Sequence, residues 1–245
     1  MSEDLNISEA MARAESARGE SDDRARKKNY AEALSRELAQ LVADRLRSRF
    51  RGITPTAGGQ SHESPARTEK GKKKLDINFS TPALGLGLGV SIKTVTSRDP
   101  RTHRFTKNYT RIDNELRAEA IDYHQRQPFS VLIAIILLPE SACSDGGDRT
   151  PSSFGNAVKC FRYRAGRVRP ADDAQLFEGI YVACYGDAGD ERHGRTWFFD
   201  VQRAPPRTGR PRAADRMTFK EVIKAIERAF VARNEPHFEW ASESD

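Results

Sequence analysis

Two short segments alternate apolar and polar residues, and they lie close enough in the chain to be neighbours in one sheet. In "KLDINF", Leu75, Ile77 and Phe79 point one way and Asp76 and Asn78 the other. In "LGVSIKTV", Leu88, Val90 and Ile92 share one face, with Ser91 and Lys93 opposite. Joined by a turn at Pro82 to Gly87, the two strands are expected to bury one apolar face and present Asp76, Asn78, Ser91 and Lys93 on the other. A lysine within an otherwise apolar strand, beside an acid on the next strand, needs a reason.

The surrounding sequence places these strands in a mixed chain. "NYAEALSRELAQLVADRLRSRF" repeats Tyr30, Leu34, Leu38, Leu41 and Val42 at helical spacing, which predicts an amphipathic helix ending near Gly52. "GITPTAGGQSHESPARTEKGKKK" reads as loops with one short strand near Ile53 to Thr56. A helix is expected from about Ile112 to Gln127, ended by Pro128, followed by a strand over 129 to 138. Beyond it come a helix near Phe154 to Arg164, the strands "GIYVACYG" and "RTWFFDVQ", and a last helix opened by the capping-box spacing of Thr218 and Glu221. Residues 1 to 28 read as a polar, flexible or weakly helical arm, and 29 to 245 as a single domain with its core in 29 to 138 and an α+β elaboration in 139 to 245.

Composition narrows the setting. The longest apolar run, "FSVLIAIILLP", is too short to cross a bilayer as a helix, and the N-terminus lacks a signal-peptide apolar region, so a cytoplasmic protein without membrane contact is expected. A formal charge of +6 with 31% charged residues favours a polyanionic partner. Cys143, Cys160 and Cys184 stand far apart with no CxxC pair, so buried thiols are expected rather than a zinc cage or a disulfide framework. His62, His124, His193 and His237 show no metal spacing. Gly85, Gly87 and Gly89 precede a strand and no GK[ST], which argues against a phosphate loop.

Hydrolysis of a phosphodiester needs carboxylates that hold a hard divalent cation, and a lysine ammonium beside them to orient the nucleophile or offset developing charge. Asp76 and Lys93 suit those roles. On these residues, and on the order helix, strands, helix, strand, the chain resembles the PD-(D/E)XK nuclease superfamily over roughly residues 29 to 138. Asp76 matches the metal-binding aspartate and Ser91-Ile92-Lys93 the (D/E)-X-K tripeptide, with Leu75 in place of the proline and Ser91 in place of the second acid. Some restriction enzymes of this kind carry S-X-K and draw the missing carboxylate from the following helix. The resemblance implies an α/β fold with a restriction-endonuclease-like α-β-β-β-α-β core, a mixed central sheet flanked by helices. It also implies Mg²⁺, or Mn²⁺ in its place, as cofactor.

Helical phase, at about 100° per residue, selects the replacement acid. Glu119 falls between Ile112, Leu116 and Tyr123 on the apolar face, Glu115 lies at its edge and Asp122 farther round. Glu37 repeats the pattern in the first helix. An inward carboxylate is costly unless it binds a cation or pairs with a structural arginine, and both outcomes stand for each glutamate. Asp76 and Lys93 alternatively form an exposed cross-strand ion pair. Arg98, Arg101, His103, Arg104, Lys107 and Arg111 crowd the loop before the second helix, with Asn108 and Tyr109 among them; phosphate contact or simple solvation accounts for such density. Lys70, Lys72, Lys73, Lys74 and the arginines of 203 to 216 extend the same basic surface.

The function expected is therefore a magnesium-dependent endonuclease acting on DNA, of the restriction or defence kind. A homodimer and a cognate methyltransferase acting on the same site are the implied partners. The alternatives are a noncatalytic nucleic-acid-binding protein with a degenerate nuclease core and an RNA-directed nuclease.

Overall fold

A computed structural model describes residues 5–16, 24–59, 64–68, 71–82, 84–147 and 149–235. In chain order the elements are β1 (Leu5–Asn6), α1 (Ser8–Ser16), α2 (Arg24–Leu46), β2 (Ser64–Thr68), β3 (Gly71–Leu75), β4 (Ile77–Thr81), β5 (Gly85–Thr94), α3 (Tyr109–Arg126), β6 (Val131–Pro139), α4 (Ser153–Arg162), β7 (Gly179–Tyr185), β8 (Arg195–Asp200) and α5 (Phe219–Asn234). The fold is α/β, built on one mixed six-stranded sheet in the order β1-β8-β7-β6-β5-β4, with β2 and β3 forming a separate hairpin. β5, β6 and β7 run parallel at its centre; β4, β8 and β1 add antiparallel. Among the described residues, no helix is long and apolar enough to cross a membrane.

β6 explains why both faces of this sheet are covered. All nine of its residues are buried, and its alternate side chains divide between two cores. Val131, Ile133, Ile135 and Leu137 enter the layer formed with α1, α2 and α5. Leu132, Ala134, Ile136 and Leu138 enter the layer formed with α3 and α4. A parallel strand with helices on either side reads as a continuous apolar run for this reason. β5 is less symmetrical. Leu88, Val90 and Ile92 fill the first core, whereas its α3-facing side carries Gly89, Ser91 and Lys93.

Several expectations need correction. Residues 5 to 16, read as part of a polar arm, pair and pack: Leu5 and Asn6 join β8, and Ile7, Ala10, Met11 and Ala14 are buried in the first core. The stretch before Lys74, read as loop, contains the β2–β3 hairpin. "KLDINF" is not one strand, because the chain bends at Asp76 between β3 and β4 and carries Leu75 into the core opposite Ile77 and Phe79. Gly85 to Gly87 belong to β5, so the expected turn ends before Gly85. The α+β elaboration expected after residue 139 extends the same sheet through β7 and β8. His62, Lys70 and His237 lie outside the described residues, and the side chains of Lys72 and Lys73 are likewise undescribed.

Candidate active site

The end of β5 is where the sheet becomes irregular. Its ladder with β4 runs from Thr81↔Gly85 to Ile77↔Val90, so β5 continues past its neighbour toward Thr94. On that side, among the described residues, no strand pairs with the N–H and C=O of Ile92. Side chains supply the missing bonds: Asp76 Oδ2 accepts from the Ile92 N–H at 2.6 Å, and Ser35 Oγ of α2 donates to the Ile92 carbonyl at 3.4 Å. The bend at Asp76 thus does two things. It separates β3 from β4, and it turns a carboxylate onto the backbone between Ser91 and Lys93.

α3 brings the second carboxylate. It packs on β5 and β6 through Ile112, Leu116, Ala120 and Tyr123, all buried. Glu119, on that same side of the helix, reaches Ser91 and Lys93. Ser91 Oγ donates to Glu119 Oε1, and Lys93 Nζ stands 3.5 Å from Glu119 Oε2. The Lys93 and Glu119 side chains are 23% and 13% exposed, so the pair is substantially desolvated yet reachable. Burial, then the Glu119 and Asp122 carboxylates, push the Tyr123 phenol well up, so one turn along α3 a neutral ring adjoins the acid.

The lysine in the apolar strand therefore has an acid beneath it, contributed by the next helix and not by the paired strand. Glu37 does not join this group. It lies on α2, across the sheet from α3, and is held by Arg13 of α1 at 2.6 Å. Glu115 pairs with Arg111 at 3.1 Å on the exposed side of α3. Asp122, placed farther round by phase, is buried.

The loop from Arg98 to Arg111 separates into structural and surface cations. Asp99 organises it, accepting from the N–H groups of Arg101 and Thr102, and these bonds hold its carboxyl below the usual range. Arg98 lies over the Phe105 ring at 5.0 Å. Arg104, a candidate phosphate ligand, instead donates to the Pro151 carbonyl. Tyr109 is buried and donates to the Ser153 carbonyl at 3.1 Å, which removes it from stacking. Asn108 caps α3 without a side-chain bond to the helix. Arg98, Arg101, Lys107 and Arg111 remain at the surface.

For a cation, the donor set is Asp76 and Glu119. Among the described residues no group of three or more His, Cys, Asp or Glu side chains is placed to hold a metal ion. Magnesium does not need such a cage. It keeps most of its waters and binds through one or two carboxylates together with substrate phosphate, so two hard oxygen donors flanking residues 91 to 93 fit it. The strand-end bonds of Asp76 and Ser35 escaped sequence reasoning, since only register shows that β5 outruns β4. In comparison with known proteins, no family model, no curated protein and no solved structure matches this chain.

Proposed function

We propose that this chain is a metal-dependent endonuclease that hydrolyses DNA phosphodiester bonds, of the restriction or defence kind. The observation that carries the reading is the meeting of Glu119 from α3 with Ser91 and Lys93 on β5, which replaces the acid missing from the strand. The succession α2, β4, β5, α3, β6, with β4 and β5 antiparallel and β5 and β6 parallel in one sheet, supports it in part; four strands rather than three separate the two helices, and two of them, β2 and β3, stand in a hairpin outside that sheet.

In this reading Asp76 and Glu119 would hold Mg²⁺, or Mn²⁺ in its place. When bound, the cation lowers the pKa of a water and offsets charge on the phosphoryl oxygens. The protein's own groups do the remainder. Ser91 fixes the Glu119 carboxylate in one rotamer. Glu119 holds the Lys93 ammonium at the end of β5, where it orients the attacking oxygen or stabilises charge in the transition state. Arg98, Arg101 and Lys107 bind backbone phosphates and set the strand's register. A homodimer and a methyltransferase of matching specificity belong to the same proposal.

One observation favours a noncatalytic nucleic-acid-binding protein instead: Glu119 is shared between Ser91 and Lys93, and Asp76 is bonded to the Ile92 N–H, so the polar groups satisfy one another. Purified protein incubated with plasmid and linear DNA, with Mg²⁺ or with EDTA, separates the two. Cleavage that requires the metal is the expected result. Binding without cleavage in either condition would leave the noncatalytic reading.

A further inference from the structure

A cleft of ≈ 530 Å³ opens at the carboxyl ends of β5, β6 and β7, where Thr96, Pro139 and Tyr185 leave the sheet. In open parallel sheets this end is where ligands bind, because the loops diverge there. Its volume falls within the range of small-molecule sites. The walls differ chemically. Arg98 arrives from the β5 side and Asp187 from the β7 side, with β6 between them. Two strand spacings separate those sides, about 9 to 10 Å. Tyr30, packed against the α2 layer, and Phe105, from the α3 layer, bring rings from opposite faces of the sheet.

Each wall is held in place. The Phe105 ring carries the Arg98 guanidinium at 5.0 Å. Asp187 accepts from the Ser141 N–H at 2.8 Å and from the Ser141 hydroxyl at 3.0 Å. Burial, and after it Tyr30 and Asp187, push the Tyr185 phenol well up, so it remains a hydroxyl donor. The combination is the Arg98 cation at one side, the Asp187 acid with hydroxyl groups at the other, and rings between them, with Met11 and a second acid, Glu15, added from α1. A mononucleotide has the matching form: a phosphate, a flat ring with polar edges, and about that length.

Resting on the nuclease reading, we infer that this cleft receives one unstacked nucleotide of the strand being cut, its phosphate toward Arg98 and its base toward Tyr185 and Asp187. Thr96 is three residues beyond Lys93, at most about 10 Å of extended chain, so the cleft lies roughly one nucleotide from the reacting phosphate. A base can enter only after leaving its duplex stack, and that cost is least where the strand is single or mispaired. The substrate class is therefore DNA that is single-stranded, or unpaired, next to the cleavage point.

The test uses the full chain with 5′-dAMP, deoxyadenosine and inorganic phosphate as separate probes in calorimetric titrations. 5′-dAMP is expected to bind more tightly than either fragment. Ala188→Trp, at an exposed lining position that leaves the Asp76, Ser91, Lys93 and Glu119 group untouched, should weaken 5′-dAMP at least tenfold. Arg98→Gln should weaken 5′-dAMP and leave deoxyadenosine unchanged. Phosphate binding as tightly as 5′-dAMP, or indifference of 5′-dAMP to Ala188→Trp, would overturn the inference. The two levels separate cleanly. Metal-dependent cleavage of duplex and unpaired DNA at equal rates, with no 5′-dAMP binding up to about 10 mM, removes the cleft and keeps the nuclease. 5′-dAMP binding sensitive to Ala188→Trp in a protein that never cleaves DNA keeps the cleft and removes the nuclease.

Discussion

Glu119 answers to two partners, and a substitution that separates them is informative. Glu119→Gln retains an oxygen for Ser91 and loses the charge that faces Lys93 and would bind a cation. Cleavage should fall by at least about a hundredfold while Tm shifts by no more than about 2 °C. Glu115→Gln, changed at the exposed Arg111 pair, should keep wild-type rates. Single-turnover assays beside thermal melts check both, and full activity in Glu119→Gln would remove the acid from the mechanism. Lys93→Ala should leave DNA binding nearly intact and slow cleavage by about 10² to 10³, because the ammonium acts mainly on the transition state. Equal single-turnover rates for wild type and Lys93→Ala would refute that role. Helical phase exposed Glu119 in the sequence, since only an inward position between Ile112, Leu116 and Tyr123 needed explaining. The same reasoning singled out Glu37 as the next candidate, and nothing in α2 revealed that Arg13, from a segment read as an arm, would meet it.

At the level of elements, the strands and helices were legible where period and length agreed. α3 and β6 lie within a few residues of expectation because Pro128 separates a period of 3.6 from an unbroken apolar run. β2 and β3 were not legible, as Ser64–Thr68 and Gly71–Leu75 are polar strands that pair with each other. β5 shows what close packing requires of a strand over a site. A Cβ on Gly89 would come within 2.8 Å of Leu75 Cδ1 and 2.9 Å of Leu132 Cδ2. Gly89→Val should therefore cost about 1 to 3 kcal/mol, read as a lowered urea midpoint, and unchanged stability would show that the two leucines yield freely. In the basic loop, charge neutralisation of Arg98, Arg101 and Lys107 together should flatten the slope of log K for DNA against log salt, by about 0.7 to 0.9 for each phosphate these cations would otherwise neutralise. An unaltered slope would assign those side chains to solvent.

Across the whole molecule, the deepest ionic cluster ties together elements that are remote in sequence. Glu178, 3% exposed, meets Arg167 and Arg233 at 2.9 Å and His124 at 3.5 Å, and it accepts the Leu132 N–H at 2.7 Å. α3, β6, the approach to β7 and α5 are thereby joined. Burial alone would push the Glu178 carboxyl up, yet His124, Arg233 and the Leu132 N–H together hold it below its ordinary 4.5. A depressed carboxylate contributes stability above its unfolded pKa and loses that contribution as pH falls through the folded value. Acid should therefore weaken the fold below about pH 4.5, and Glu178→Gln should flatten that limb while costing about 3 to 5 kcal/mol at neutral pH. Urea titrations at several pH values check it; an acid limb identical in the variant would place the sensitivity elsewhere.

β1 lies at the edge of the sheet, against the last strand of the described residues. Leu5 pairs with Thr196 and Ile7 donates to the Gly194 carbonyl, so the outermost strand comes from one end of the described chain and its partner from near the other. During synthesis, Leu5, Ile7 and Met11 emerge long before β8 exists. Their apolar surface stays without its partner until β8 has left the ribosome. Contacts of such long sequence separation are slow to form. The central strands can register first; the sheet's far margin closes only once β8 has been made, and a nascent chain stalled before residue 195 carries an unpaired edge on β7.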